Sequence, residues 1–102
     1  MAYKIIWSPK AIDTFENVID YLQNHWTEKQ IKYFVERTEK TIYLLSNSPY
    51  LFRGSEKENL HEVIITKHNL LLYQIAFKEK TIELLAFFDT RQNPKKKFGL
   101  RF

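Results

Sequence analysis

The sequence has no cysteine and only two glycines among its 102 residues. Without cysteine, the chain has no disulfide, no thiolate metal ligand and no cysteine nucleophile. Two glycines are too few for a glycine-rich phosphate loop or a dinucleotide-binding fingerprint, since both need several glycines where the backbone approaches the ligand. No apolar run approaches the ~18 residues of a membrane-spanning helix, and the first residues lack the apolar segment of a signal peptide. We therefore expect a small soluble cytoplasmic domain without membrane contact.

Acidic residues are missing from the C-terminus. Five of the 16 basic residues, and none of the 12 acidic ones, lie from Arg91 onward. The net charge of +4 is therefore a property of the tail and not of a uniformly basic surface. Arg91, Lys95, Lys96 and Lys97 are candidate contacts for a nucleic acid or a target protein. The alternative is a solvated tail that only aids solubility.

Local signals in the first half predict one strand and two helices. A short aromatic and β-branched run predicts a strand over Tyr3–Trp7. Ser8 followed by Pro9 is typical of a helix start, and apolar residues then recur at steps of three and four. Thr27, with a glutamine three residues later, predicts the start of a second helix. The turn-forming residues 46–49 end it.

The second half predicts a polar loop at about 50–59 and three strands. These cover about Leu60–Thr66, Asn69–Phe77 and Thr81–Phe88, and their connections are short enough for hairpin turns. The resulting order is β-α-α-β-β-β. We interpret it as an α+β fold in which a helical hairpin packs on one face of a mainly antiparallel sheet. The composition supports a single domain over residues 1–102, with 91–102 as a basic tail.

The last two predicted strands are apolar on both faces. An antiparallel sheet that faces water on one side should instead alternate polar and apolar residues. Because a helical hairpin covers only one face, the other needs a different cover. A protein partner is our preferred interpretation; the C-terminal tail and a second copy of the chain are the alternatives.

Side chains suited to catalysis are sparse. The three histidines lack the spacing of metal ligands, and no serine lies in a nucleophile elbow, so we expect no metal and no cofactor. Metal-independent RNA cleavage needs a proton acceptor, a proton donor and cations near the phosphate. His61, Lys67 and Arg91 are the candidates, with His61 and Lys67 on one face of their strand by period two. The alternative is that His61 is a polar strand-edge residue and Lys67 a solvated turn residue.

Four short motifs resemble those of the RelE/ParE superfamily, the toxins of bacterial type II toxin–antitoxin systems. They are Trp7-Ser8-Pro9 followed by Ala11, Leu60-His61-Glu62-Val63, Leu72-Tyr73-Gln74-Ile75 and Asp89-Thr90-Arg91-Gln92-Asn93-Pro94. The resemblance covers about Tyr3 to Lys97 and implies the same fold, together with growth inhibition and plasmid stabilisation. It also implies a cognate antitoxin that wraps the toxin. We assign the uncovered sheet face to that antitoxin, with Leu71, Tyr73, Leu85 and Phe87 as its contacts.

The superfamily divides by target: RelE-like members cut mRNA on the ribosome, whereas ParE-like members bind DNA gyrase and are not enzymes. When the RelE-type pattern is carried over, its first arginine falls on Leu70, its strand lysines fall near His61 and Val63, and only its late arginine is matched, by Arg91. The chain therefore resembles ParE more than RelE. We predict a binding toxin directed at gyrase. The alternatives are a ribosome-dependent mRNA endonuclease and a non-toxic member that retains only antitoxin binding.

Overall fold

The computed structural model of the protein describes residues 2–48, 54–55 and 60–91. The elements are β1 (Lys4–Trp7), α1 (Pro9–His25), α2 (Glu28–Asn47), β2 (Gly54–Ser55), β3 (Leu60–Thr66), β4 (Asn69–Ala76) and β5 (Thr81–Asp89). The predicted β-α-α-β-β-β order is confirmed, with one addition. The two-residue strand β2 lies where the sequence predicts only a loop.

The helices begin at the residues that the sequence singles out. The Ser8 hydroxyl oxygen accepts a hydrogen bond from the Ala11 amide at 3.0 Å, and Pro9 is the first residue of α1. Thr27 caps α2 in the same way, accepting from the Gln30 amide at 3.4 Å. Such caps satisfy amides that have no partner inside the helix. Neither helix combines the length and hydropathy that a membrane span requires.

The five strands form one sheet in the order β1-β5-β4-β3-β2. β1 pairs in parallel with β5, and every other pair is antiparallel. A parallel neighbour needs a long connection, and between β1 and the later strands that connection includes the α1–α2 hairpin. α1 contacts β5 and α2 contacts β3, so the hairpin covers one face of the sheet as predicted.

Two irregularities interrupt the strand pairing, and a side chain from outside the sheet contacts the backbone at each of them. On β5, Leu85 has no partner on β4, because Leu72 pairs with Ala86 and Tyr73 with Leu84. Its carbonyl accepts a hydrogen bond from the Ser8 hydroxyl at 3.2 Å. The second lies between Ile64 and Thr66 of β3. There the Ile65 carbonyl accepts from Arg37 Nε at 3.3 Å. These bonds compensate groups that the irregular ladder leaves unpaired.

An aromatic cluster forms the centre of the core between helices and sheet. The Phe87 ring lies 5.5 Å from Trp7, 5.2 Å from Phe15 and 6.3 Å from Phe34, measured between centroids. Phe34 and Phe87 are 1% and 2% exposed. Trp7 and Phe15 are partly buried against the same cluster. Offset and edge-to-face contacts of this kind add stability beyond burial alone.

The residues predicted to meet an antitoxin lie mostly on the wrong face. Leu71, Tyr73 and Phe87 belong to the core beneath the helices and are at most 2% exposed, so no partner can touch them in this fold. The prediction assigns Leu71, Tyr73, Leu85 and Phe87 to the uncovered face. In the structure, Leu71 and Tyr73 of β4 and Phe87 of β5 lie on the face that meets the helices. Leu85, at the irregularity in β5, is half-buried.

The face that points away from the helices has an apolar centre, but it also carries the exposed polar residues Glu62, Gln74 and Glu83. It carries the cross-strand pairs Leu70–Phe88 and Leu72–Ala86. Leu72 and Ala86 are buried, whereas Ile6 on β1 and Ile64 on β3 are 40% and 65% exposed. The exposed apolar surface of this face is therefore found towards the two sides of the sheet.

Candidate functional site: a cationic cleft beside the last strand

A buried polar chain joins the ends of β3, β4 and β5. The Asp89 side chain is fully buried, and its Oδ2 accepts a hydrogen bond from Asn69 Nδ2 at 2.8 Å. Asn69 Oδ1 in turn accepts from the Thr66 hydroxyl. The backbone amide of His68 donates to Thr66 Oγ1 at 3.2 Å, which fixes the turn between β3 and β4. The end of β5 and this turn are thus held together by side chains.

Arg91 is fixed by the same network. Its Nε donates to Asp89 Oδ1 at 3.1 Å and its Nη2 donates to Asp89 Oδ2 at 2.8 Å, a two-bond fork. The guanidinium carbon lies 4.9 Å from the ring centroid of Trp26 and 5.9 Å from that of Tyr21. Cations favour such positions over aromatic faces. Arg91 therefore ties the end of β5 to the C-terminal end of α1.

Hydrogen bonds from Arg91 and Asn69, more than the charge of Arg91, set the protonation of Asp89. Burial by itself raises the pKa of the Asp89 carboxyl, because it disfavours the charged form. The hydrogen bonds from Arg91 and Asn69 and the positive charge of Arg91 outweigh burial and hold the pKa below its ordinary value. Asp89 is consequently ionised at neutral pH, and the pair is a buried carboxylate beneath a partly accessible cation.

A cleft of about 470 Å³ opens between the start of α2 and the turn that follows β3. Lys29, Gln30 and Tyr33 line it from α2, whereas Lys67, His68 and Arg91 line it from the sheet side. The remaining lining residues are Leu22, Phe34, Thr66 and Asn69. None of these described residues is acidic. We call it the cationic cleft, because its charged lining residues are Lys29, Lys67 and Arg91.

Two of the three nuclease candidates meet at the cationic cleft and the third does not. Arg91 and Lys67 both line it, and Lys67 lies in the turn after β3 and not on the strand itself. His61 is five residues from Thr66, the last residue of β3, which places it about 17 Å from the turn that holds Lys67. The prediction that His61 and Lys67 share a strand face is therefore wrong, because β3 ends at Thr66.

His61 stacks instead on Tyr73 at the other end of β3. The two residues pair across β3 and β4, and their ring centroids are 5.2 Å apart. His61 Nδ1 and the Tyr73 hydroxyl are both buried, and neither has a hydrogen-bond partner among the described residues. Burial raises the pKa of Tyr73 to about 12. The pair is thus placed against the hydrophobic core and away from the cationic cleft.

Substituting Tyr73→Phe is expected to stabilise the protein by about 1 kcal/mol, because it removes a buried hydroxyl that has lost its water and gained no partner within the described ranges. The ring, which is fully buried, keeps its packing. Urea unfolding at neutral pH measures the change. A loss of stability in Tyr73→Phe would mean that the hydroxyl has a partner in solution, and Tyr21→Phe is a control on a half-buried tyrosine.

The three other basic residues predicted to contact a target, Lys95, Lys96 and Lys97, lie outside the described residues. Within the described ranges, no group of three or more histidine, aspartate or glutamate side chains is arranged to hold a metal ion. Among the described candidates for RNA cleavage, Arg91 and Lys67 are the ones that lie together.

Sequence reasoning misses most of the partners of Arg91. The apolar periodicity assigns Trp26 to the stripe of the first helix, yet Trp26 is 45% exposed and lies beneath the guanidinium. The sequence singles out Asp89 only as the first residue of the motif that ends at Pro94, and not as a partner of Arg91. One signal is available: an aspartate two residues before an arginine, at the end of an apolar strand, is well placed for a buried ion pair. Lys29 and Tyr33 carry no such signal.

Comparison with known proteins identifies the family. Residues 5–94 match the family model described as the ParE toxin of the type II toxin–antitoxin system parDE. No curated protein matches the chain significantly.

Solved structures share the fold at low sequence identity. The chromosomal ParDE system from P. aeruginosa has a TM-score of 0.70 at 13% identity, covering 86% of this chain and 96% of that one. The E. coli toxin RelE in the free state, solved as a mutant with two arginines changed to alanine, has a TM-score of 0.63 at 11% identity, covering 95% and 93%. The RelBE2 toxin–antitoxin complex from Mycobacterium tuberculosis has a TM-score of 0.57 at 15% identity, covering 87% and 99%. With the family match over most of its length, the chain belongs to the ParE toxin family of type II toxin–antitoxin systems.

Proposed function

We propose that this toxin inhibits growth by binding DNA gyrase, without catalysing a reaction, and that a cognate antitoxin neutralises it. The match to the ParE family model supports gyrase as the target, since the ParE-like branch is the one that binds gyrase. In the proposal the protein is a single cytoplasmic domain. Its basic tail, from Arg91 through Lys95, Lys96 and Lys97, contacts the target complex.

The separation of the nuclease candidates is the observation that carries the proposal. Cleavage of RNA without a metal requires acid, base and cations to converge on one phosphate. His61 lies far from Arg91 and Lys67, and Arg91 already has its charge balanced by Asp89. A cation that is paired with a buried carboxylate stabilises developing negative charge less than an unpaired one does. The geometry is therefore better suited to binding than to catalysis.

The antitoxin partner is supported by the solved relatives, two of which are a ParDE system and a RelBE2 complex. The surface proposed for the antitoxin is the sheet face that points away from the helices. Ile6 and Ile64, 40% and 65% exposed, supply accessible apolar surface for such a contact, and half-buried Leu85 stays a candidate. The two isoleucines replace the buried residues Leu71, Tyr73 and Phe87 as candidate contacts.

A purified-component assay tests the mode of action. The chain should inhibit supercoiling by purified gyrase, with trapped gyrase–DNA complexes, and should leave mRNA intact in a reconstituted translation system. Adding an excess of the cognate antitoxin should restore supercoiling. mRNA cut at the ribosomal A site, together with unimpaired supercoiling, would overturn the proposal.

One observation favours a ribosome-dependent mRNA endonuclease as the second candidate. Lys67, His68 and Arg91 line the same cleft, which places an imidazole near two cations. In that case mRNA cleavage should occur in the assay above and disappear in the Arg91→Ala variant. If neither activity is detected and the antitoxin still binds, the chain is the non-toxic family member.

A further inference from the structure

The cationic cleft carries positive charge that the described residues do not balance. Lys29 on α2 and Lys67 on the turn after β3 form no ion pair within the described part of the chain, and both are exposed. Lys29 lies in the first turn of α2, where a positive charge opposes the helix dipole, so helix stability does not explain it. Glu28 lines a neighbouring depression, beside Trp26, and not this cleft.

Arg91 contributes fixed donors to the same cleft. Asp89 occupies two of the five N–H groups of the guanidinium, and no described residue occupies the other three. Because the side chain is held by Asp89 and lies over Trp26, it loses little conformational freedom when it binds a further group. It is 16% exposed, so those donors are partly open to solvent.

Neutral groups beside the cations extend the recognition surface. Gln30 supplies an amide, and Tyr33, 53% exposed, supplies a hydroxyl and a flat ring. An aromatic face next to basic side chains is the combination that proteins use to stack a base while they bind its phosphate.

From these features we infer that the cationic cleft is a phosphate-binding site, whose ligand is a nucleotide or the backbone of a nucleic acid. Lys29 supplies a point charge from α2, and Lys67 and Arg91 supply a second point charge and oriented donors from the sheet side. This arrangement suits a group with several acceptor oxygens and up to two negative charges. Lys29 and Lys67 have no part in the proposed mode of action, whereas Arg91 belongs to both, so the site is tested at the two lysines.

Isothermal titration at low salt tests the site with three probes: inorganic phosphate, ADP and a short single-stranded oligodeoxynucleotide. The Lys29→Gln/Lys67→Gln double variant should bind about tenfold more weakly or worse, because two charge-assisted contacts are lost. For the oligonucleotide, the dependence of log affinity on log salt should fall by about one per lysine removed. Lys78→Gln, an exposed turn lysine at the opposite end of β4, should bind like the wild type.

The probes also identify the source of the phosphate. Tighter binding of ADP than of the oligonucleotide assigns the site to a free nucleotide, and the reverse assigns it to a nucleic acid backbone. Circular dichroism and the thermal midpoint confirm that each variant is folded. Wild-type affinity in the folded double variant, or no binding of any probe by the wild type, would overturn the proposal. Neither result depends on whether the chain inhibits gyrase.

Discussion

The Phe87→Ala variant is expected to lose about 3–5 kcal/mol of unfolding free energy, the range for a buried phenylalanine truncated to alanine. Phe87 is 2% exposed, and its ring contacts three other aromatic rings, so its removal leaves a cavity that four different elements would have to close. The rings come from β1, α1 and α2 and cannot all shift inward without disturbing the strand pairing. Urea unfolding followed by far-UV circular dichroism measures the loss.

Tyr43→Ala is the matched control, since Tyr43 is an aromatic residue on α2 that is 69% exposed. It should change stability by no more than about 0.5 kcal/mol. The comparison also separates two roles for Phe87. If Phe87 were an antitoxin contact on an open face, Phe87→Ala would retain wild-type stability and lose antitoxin affinity, and the core assignment would be wrong.

The position of Phe87 shows which features of the fold the local sequence pattern predicts and which it does not. Helix starts at Ser8 and Thr27, and the strands of the C-terminal meander, follow from cap chemistry and β-branched runs, because these signals act within a few residues. Both faces of β4 and β5 are largely apolar, and the exposed pair Gln74–Glu83 alone marks the outer face, so alternation is a weak guide to which face meets the helices. That choice depends on the long-range packing of Phe87 against Trp7 and Phe15, which no local window contains.

The irregularity at Leu85 is a second reason why the sequence does not show which side chains of β5 meet the helices. A bulge shifts the side-chain alternation by one residue, so a count by twos along β5 assigns Ile82 and Phe87 to opposite faces. In the structure both belong to the core cluster. The bulge is compensated by Ser8, which lies 77 residues away in sequence. The strand's own sequence therefore does not reveal where the bulge lies.

The cationic cleft can be predicted from the sequence only in part, because its residues come from segments that are distant in the chain. Arg91 follows directly after an apolar strand, and that placement alone indicates that its side chain could be held. Lys67 is recognisable as a charged turn residue. What joins them to Lys29 and Tyr33 is the docking of α2 beside the β3–β4 turn, a contact between distant segments. The pairing of Arg91 with Asp89, in contrast, is local.

The Asp89→Asn variant is expected to be about 3 kcal/mol less stable than the wild type at neutral pH, because it leaves the Arg91 guanidinium without its carboxylate. The amide keeps the shape of the side chain, but it cannot accept both bonds of the fork with two charged oxygens. The bond from Asn69 then competes with Arg91 for the one remaining carbonyl oxygen. Urea unfolding at pH 7 measures the difference.

The pH dependence of that difference distinguishes the ion pair from packing. The folded-state pKa of Asp89 is lowered, so its ionised form favours folding; the contribution is fully present above the unfolded value of about 3.9 and is lost as the pH falls through the folded value. The difference in unfolding free energy between the wild type and Asp89→Asn should therefore be the same at pH 7 and pH 5 and should shrink below about pH 4. A constant gap down to the acid transition would assign the loss to packing.

A double-mutant cycle with Arg91→Met measures how strongly Asp89 and Arg91 stabilise each other. Methionine keeps an unbranched apolar stem that can still lie on Trp26, the ring beneath the guanidinium. If the two charges stabilise each other, the Asp89→Asn/Arg91→Met double variant should be at least ~1 kcal/mol more stable than the two single losses predict. Additive losses would show that Asp89 acts mainly through Asn69 and the β3–β4 turn. The cycle thus decides whether the Arg91–Asp89 pair itself contributes stability or whether Asp89 acts mainly through its bond to Asn69.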